Sequence, residues 1–226
     1  MRVYRIHGQD YPSVTTVLQI IHKPELARWR ENLGTEEADE IAQEAANLGK
    51  YIHNRCKKIN DEFTNRKELF AAKVKVGSWD FLPPAQSYAE WLLEHIEDVV
   101  AYEKLVFSPR FGYAGTTDLL FRFEGDPFLT VGDIKTSNNV WPDMGLQLGA
   151  YAQGLREEGY DIQRGIIIHL NKETSKLKVH EFDLKPNLSA FLSALYLFRH
   201  FGWDKRKPSS VVNVKEDENE DTGLVC

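Results

Sequence analysis

The stretch YAGTTDLLFRFEGDPFLTVGDIKTS, residues 113 to 137, decides the fold of this chain. Two runs rich in Leu, Phe, Val and Thr occupy residues 113 to 123 and 128 to 135. Between them lies Glu124-Gly125-Asp126-Pro127, which is typical of a tight turn. We therefore predict a β-hairpin. Because most other positions in both runs are apolar, both strands should lie inside a sheet.

The register of this hairpin brings two acidic residues together. If Gly125 and Asp126 form the loop, the pairing of the two strands is fixed. That register places Asp118 directly across from Asp133, with Cβ atoms roughly 4.5–5.5 Å apart. Lys135 shares a face with Asp133 because side chains alternate along a strand. Two unpaired anions in apolar surroundings are costly unless a cation neutralises them, so we predict a divalent metal beside Lys135.

Length and composition describe an ordinary globular chain. It has 226 residues, 42% of them hydrophobic and 12% aromatic, enough for a substantial core. No run of roughly 18 apolar residues is present, so no membrane span is expected. The N-terminal sequence MRVYRIHGQDYPSV lacks the apolar centre of a signal peptide, which favours an intracellular, cytoplasmic protein.

Cysteine content excludes some cofactors. Cys56 and Cys226 are the two cysteines of the sequence, too few for a four-thiolate iron–sulfur cluster or a cysteine-only zinc site. A structural disulfide is also not expected in a reducing compartment.

The net charge of −6 is unevenly distributed. The stretch KEDENED, residues 215 to 221, carries five acids and one lysine, which leaves −2 for the rest of the chain. We predict one domain over residues 1 to 205 and an acidic, disordered tail over residues 206 to 226. Basic residues cluster instead at Lys50, Arg55, Lys57, Lys58, Lys205, Arg206 and Lys207. A phosphate contact would therefore be local to a groove.

The order of elements predicts the fold class. Residues 3 to 12 read as a short hairpin, and helices are expected from Ser13, from Pro24 and over residues 36 to 60. Further helices are expected from Pro83, over residues 142 to 159 and over residues 186 to 200. Strands are expected over residues 99 to 107, 162 to 170 and 177 to 184, besides the hairpin. This order predicts an α/β fold with a mixed central sheet flanked by helices.

Two helices carry polar residues that can reach the hairpin. Gly49 and His53 are four residues apart on one helix face, and Gly49 allows close approach of whatever lies opposite. Gln147 and Tyr151 are also four apart, on the helix that follows Lys135. Both can overhang the carboxyl end of that strand, where ligands of α/β sheets tend to bind.

These residues resemble the PD-(D/E)xK nuclease superfamily, within it the branch of RecB/Cas4-like nucleases and phage exonucleases. The resemblance covers about residues 45 to 170, in the family's order and spacing. Its motifs are Gly49-x-x-x-His53, GYAGTTD at residues 112 to 118, DIKTS at residues 133 to 137, and QLGAY at residues 147 to 151. It implies a restriction-endonuclease-like fold, with the nuclease domain and its N-terminal helical segment in residues 1 to 205.

The resemblance also implies roles for the residues of the site. Asp118, Asp133 and Lys135 would be catalytic. Mg²⁺ or Mn²⁺ would be bound by Asp118, Asp133, the main-chain carbonyl of Ile134, and His53. Gln147 and Tyr151 would hold the substrate strand or the attacking water. Hard divalent ions do favour carboxylate and carbonyl oxygens, and one imidazole shifts preference towards Mn²⁺.

Each residue also has a structural explanation. Asp133 and Lys135 can form a surface salt bridge, and His53 can be a satisfied core histidine. Tyr151 and Gln147 can be ordinary packing residues of a helix. Glu103, on the strand before the hairpin, is either a further acid of the site or an exposed strand glutamate.

The resulting expectation is a metal-dependent deoxyribonuclease, an exonuclease acting on DNA single strands or duplex ends in replication, recombination or repair. The family resemblance is compatible with a phage or bacterial origin. The sequence has no G-x-x-x-x-G-K-[ST] motif, so any unwinding would need a partner such as a helicase or recombination protein. The alternatives are a non-catalytic DNA-binding or assembly subunit that keeps this fold, and a plain α/β domain.

Overall fold

The computed structural model describes residues 1–65, 70–71, 74, 83–172 and 174–214. Eight strands and six α-helices lie within these ranges. The strands are β1 (Arg2–Ile6), β2 (Gln9–Pro12), β3 (Ile96–Ser108), β4 (Tyr113–Phe123), β5 (Leu129–Lys135), β6 (Ile162–Leu170), β7 (Leu177–Phe182) and β8 (Ser210–Asn213). The helices are α1 (Val14–Val17), α2 (Pro24–Leu33), α3 (Thr35–Asn65), α4 (Pro83–His95), α5 (Pro142–Glu157) and α6 (Leu184–His200).

The centre of the molecule is a mixed five-stranded sheet in the order β3-β4-β5-β6-β7. All its neighbouring strands are antiparallel except β5 and β6, which are parallel. A parallel connection needs a crossover, and α5 supplies it between β5 and β6. The predicted mixed α/β sheet flanked by helices is confirmed.

The hairpin register agrees with the sequence prediction. Leu119 pairs with Gly132 and Leu120 with Val131, and continuing this register brings Asp118 level with Asp133. The turn itself is wider than the predicted two-residue loop, because residues 124 to 128 separate the two strands and β5 begins at Leu129. Pro127 explains the difference, since proline has no N–H to donate to a strand ladder.

Alternate residues of the hairpin enter two separate cores. Leu120 and Val131 pack on one face of the sheet with apolar residues of α1, α5 and α6. Leu119, Phe121 and Ile134 pack on the other face with α3 and α4. Burial on both faces accounts for the nearly continuous apolar sequence of both strands. By the same alternation, the side chains of Asp118, Asp133 and Lys135 lie on the α5 side of the sheet.

A second, three-stranded sheet joins the two ends of the described chain. Its order is β2-β1-β8, with β1 antiparallel to β2 and parallel to β8. Its inner side forms a small core around Tyr4, Ile6 and Ala114. An isolated bridge from Ser13 to Ala114 attaches this sheet to β4.

The structure corrects the predicted start of the tail. The tail was expected from residue 206, but Ser210–Asn213 form β8 beside β1. This strand is four residues long and its partner lies at the other end of the chain, so no local pattern indicates it. The acidic stretch at residues 215 to 221 lies outside the described residues.

The helices largely match their predicted positions. Ser13 caps α1 by accepting a hydrogen bond from the Thr16 N–H, and α2 begins at Pro24 as expected. The third helix is longer than the predicted span of residues 36 to 60 and runs over Thr35–Asn65. Within the described ranges, no helix has the length and apolarity needed to cross a membrane.

We expect Val212→Asp to destabilise the protein by about 1–3 kcal/mol, because it places a carboxylate against the small core of the three-stranded sheet. Val211→Asp is the matched control, since the Val211 side chain is exposed, and we expect it to change stability by less than about 0.5 kcal/mol. Urea denaturation measures both. Equal effects for the two variants would contradict the assigned packing of β8.

Candidate active site

One cavity of about 160 Å³ collects the side chains of every predicted site residue except Ile134. Its wall comes from α3, from the hairpin strands β4 and β5, and from α5. The predicted residues that line it are His53, Asp118, Asp133, Lys135, Gln147 and Tyr151. Residues far apart in sequence therefore meet on the α5 side of the sheet.

Asp118 lies at the edge of the cavity, with 22% of its side chain exposed. Its Oδ2 accepts a hydrogen bond of 2.7 Å from the backbone N–H of Ile134. Burial, followed by repulsion from Asp133, raises the pKa of Asp118 to about 8, while Lys135 and the Ile134 N–H act in the opposite direction. A negative charge on Asp118 is thus unfavourable beside a second carboxylate.

Asp133 is the most deeply buried acid of the site, with 3% of its side chain exposed. Its Oδ1 accepts a hydrogen bond of 2.8 Å from Gln147 Nε2. Its Oδ2 contacts the ammonium group of Lys135. The expectation of two unpaired anions is therefore corrected, because Lys135 already neutralises one of them.

Lys135 connects Asp133 on β5 to Gln147 on α5. Its Nζ donates a hydrogen bond of 3.3 Å to Gln147 Oε1, in addition to its contact with Asp133. Burial lowers the pKa of Lys135, but attraction to Asp133 and Asp118 outweighs burial and leaves that pKa raised. The lysine is therefore charged at neutral pH. The ion pair lies inside the cavity, unlike the surface salt bridge of the structural alternative.

Gln147 and Tyr151 extend from α5 over the end of β5. Gln147 Nε2 donates to Asp133 and also to the hydroxyl of Tyr151, at 3.0 Å. Both side chains are buried, and burial raises the pKa of Tyr151 well above its usual value. The pair therefore orients Asp133. Its predicted contact with substrate remains a prediction.

His53 faces the cavity from α3. Its Nδ1 lies 3.6 Å from Asp118 Oδ2, and 36% of its side chain is exposed. Burial lowers the pKa of His53, although Asp133 acts in the opposite direction, so the neutral imidazole is favoured. This position differs from that of a histidine packed into a core. One turn earlier, a Cβ added to Gly49 would lie 3.0 Å from Thr136 Oγ1, so glycine lets α3 approach β5 closely.

Glu103 lies level with Asp118 on the neighbouring strand, because Tyr102 pairs with Leu119 and Lys104 with Thr117. Its backbone has a φ of 49°, an uncommon value for a residue with a side chain. Its side chain is 48% exposed and forms an ion pair with Lys57 outside the cavity. Its charge nevertheless acts to raise the pKa of Asp118 and of His53, so a place for Glu103 in the site stays a prediction.

Sequence reasoning missed the N-terminal wall of the cavity. Arg2, Tyr4, Ser13 and Thr15 line it together with the acids. Tyr4 is held in place by a 2.9 Å hydrogen bond between its hydroxyl and Thr116 Oγ1. Contacts between β1 and β4 span more than a hundred positions, and no sequence motif indicates them.

The chemical types of the donor groups in the site suit a hard divalent cation. Two carboxylates, a nearby backbone carbonyl and a neutral imidazole are ligands that Mg²⁺ or Mn²⁺ accepts. Asp133 Oδ2 is buried and is paired with the ammonium group of Lys135. Within the part of the chain that the structure describes, however, no three His, Cys, Asp or Glu side chains converge as a ready metal cluster. An ion would therefore rest mainly on Asp118 and Asp133 and would share Asp133 with Lys135.

Comparisons with known proteins give little further information. No family model and no curated protein matches the chain. Among solved structures 21 chains match. One is the crystal structure of SSO0001, at 13% identity and a TM-score of 0.40, over 89% of this chain and 76% of that one. Another is named "Putative exonuclease" from Eubacterium rectale, at 14% identity and a TM-score of 0.40, over 67% of this chain and 62% of that one. At this similarity neither structure supports an argument about function.

Gly115 gives a direct test of the site's packing. A Cβ at this position would lie 2.6 Å from the ring of Tyr151. We expect Gly115→Ala to destabilise the protein by about 1–3 kcal/mol through overpacking. In a Tyr151→Ala background the same change should lower the free energy of unfolding clearly less, because the ring that the new methyl group would meet is absent. Chemical denaturation of the four proteins of this cycle measures the coupling, and strict additivity would contradict the contact.

Proposed function

We propose that this chain is a divalent-metal-dependent deoxyribonuclease, an exonuclease of the PD-(D/E)xK type. The observation that carries the proposal is the meeting of Asp118, Asp133 and Lys135 in one cavity. Paired carboxylates with a cation beside them are suited to phosphodiester hydrolysis, in which negative charge develops on the phosphoryl oxygens.

Asp118 and Asp133 would hold Mg²⁺ or Mn²⁺, assisted by the carbonyl of Ile134 and by His53. When bound, such an ion polarises a phosphate and lowers the pKa of a water molecule. The neutral imidazole favoured at His53 is the form that can act as a ligand. The high cost of two adjacent carboxylates in this cavity favours binding of a cation, because a cation relieves their repulsion.

The protein's own residues would orient and stabilise the substrate. The charged Lys135 can donate to a phosphoryl oxygen while remaining beside Asp133, and so stabilise charge that grows during the reaction. Gln147 holds both Asp133 and Lys135, so the two groups keep their relative position. The hydroxyl of Tyr151 accepts a hydrogen bond from Gln147 Nε2 and so restrains the Gln147 amide. A fixed geometry of this kind lowers the entropy cost of reaction.

Cationic side chains on α3, the helix that carries His53, support DNA as the substrate. A groove of about 640 Å³ on α3 is lined by three cations and two acids, with tyrosines beside them: Tyr51, Arg55, Lys57, Lys58, Asp61, Glu62 and Tyr102. Cationic side chains with tyrosines between them can contact phosphates and bases in spite of the net charge of −6. The proposed setting is a bacterial or phage-infected cytoplasm, with DNA single strands or duplex ends as substrate. A helicase or recombination protein would supply any unwinding.

A second candidate function is supported by the same cavity. Lys135 already pairs with Asp133, and the described residues form no three-ligand metal cluster. Both features suit a site that binds no metal. The alternative is a DNA-binding or assembly subunit without catalysis, which would bind oligonucleotides and leave them intact.

We expect the purified protein to degrade end-labelled DNA oligonucleotides when Mn²⁺ or Mg²⁺ is added and to be inactive with a chelator. Asp118→Asn, Asp133→Asn and Lys135→Ala should each lower the rate by about 100-fold or more, because the first two remove a ligand of the metal and the third removes the cation that stabilises the phosphoryl oxygens. Gel electrophoresis of timed samples measures the rate, and circular dichroism verifies the fold.

The matched controls are Asp126→Asn and Lys104→Ala, which remove an acid and a lysine that form ion pairs elsewhere in the sheet region. Both should retain activity. Intact DNA with every metal tested would overturn the nuclease, and intact but bound DNA would favour the non-catalytic subunit. Full activity of Lys135→Ala would contradict the role of the lysine.

A further inference from the structure

The active-site cavity opens into a larger groove. This groove, of about 780 Å³, shares Thr15, Lys135 and Gln147 with the cavity. It continues along the turn after α1 towards α2, where Lys23 and Leu26 line it. A polymer lying in the groove would therefore pass Lys135 at one end and reach α2 at the other.

A third concavity, of about 390 Å³, continues the groove beyond α2 and shares Lys23 and Leu26 with it. We call it the tryptophan cavity. It is lined by Lys23, Glu25, Leu26, Trp29, Asn138 and Trp141. Two indole rings from distant parts of the sequence, one on α2 and one before α5, thus border the same space.

The position of the Trp29 ring is not explained by the apolar clusters of the described residues. No residue of α2 is buried, and Leu26 is 51% exposed. Trp29 is partly exposed and belongs to none of the apolar clusters formed by the described residues, whereas Trp141 packs at the margin of one of them. A large aromatic side chain that packs into no cluster yet borders a cavity is typical of a binding surface.

Cationic side chains line the groove, each of them beside a carboxylate partner. Lys23, Arg30 and Lys135 line it together with Asp143, and Glu25 lines the adjoining tryptophan cavity. Lys23 pairs with Asp143 at 2.6 Å and Arg30 pairs with Asp39, so both cations are held in place. Cations along a groove and aromatic rings at its end are the two features by which proteins bind single-stranded nucleic acid.

We propose that the tryptophan cavity binds unpaired bases of a single strand whose backbone runs along the groove to Lys135. The identification of the polymer as nucleic acid rests on the proposed nuclease function. In a duplex the faces of the bases are stacked on one another, so an indole can contact them only after unpairing. The site would therefore make the protein select single strands or frayed ends over intact duplex.

Fluorescence anisotropy with a labelled oligothymidylate in chelator tests this site without cleavage. Trp29→Ala and Trp141→Ala should each weaken binding on the order of tenfold, the usual effect of removing a stacking ring. Trp29→Phe should retain most of the affinity, because it keeps a ring. Tyr196→Ala, which removes an exposed aromatic ring on α6 outside the cavities, is the matched control and should bind like the wild type. A blunt hairpin duplex should bind every variant equally.

The outcomes separate this site from the nuclease. Wild-type affinity for single strands in both alanine variants would overturn the site and leave the proposed cleavage intact. An equal loss for single strands and duplex would also overturn it, as would failure of the wild type to bind any oligonucleotide. Binding that depends on the tryptophans in a protein that cleaves nothing would support the site and reject the nuclease. If an alanine variant does not fold, Trp29→Leu or Trp141→Leu replaces it with the same expectation, because leucine fills the space but has no ring to stack. A parallel series with oligouridylate distinguishes a DNA site from one that accepts RNA.

Discussion

The structure depends on how two neighbouring carboxylates are accommodated in a region of low polarity. Asp118 and Asp133 lie on adjacent strands at the same level, where repulsion and burial both oppose a double negative charge. This repulsion is offset by Lys135 beside Asp133 and by hydrogen bonds from Gln147 and from the Ile134 N–H. The raised pKa of Asp118 also favours its neutral form. Breaking one partner of such an arrangement is expensive, so the surrounding elements must hold it together.

Helix α5 supplies the partners that hold Asp133 in place. Gln147 and Tyr151 reach the acids because α5 crosses directly from the end of β5 to β6, and the absence of a side chain at Gly115 leaves room for the tyrosine ring. The N-terminal sheet contributes Tyr4 to the wall of the cavity, where its hydroxyl is hydrogen-bonded to Thr116. The five-stranded sheet and the three-stranded sheet therefore both contribute to the wall of the cavity that holds the charged residues.

Local patterns made much of this predictable. The register predicted from a turn at residues 124 to 127 is correct although the loop is wider, and alternation along β5 places Asp133 and Lys135 on one face. Helical spacing brought Gln147 and Tyr151 to the same side of α5. Long-range contacts could not be predicted in this way. The pairing of β8 with β1 depends on residues at opposite ends of the described chain, and the ion pair between Lys135 and Asp133 depends on side-chain geometry that spacing alone leaves open.

Calorimetric titration of Mn²⁺ into the protein most directly tests whether the paired carboxylates form a cation site. The carboxylate pair predicts saturable binding in the wild type, strong weakening in Asp118→Asn and Asp133→Asn, and unchanged binding in Asp126→Asn. No measurable binding in the wild type, or equal binding in all four proteins, would contradict it.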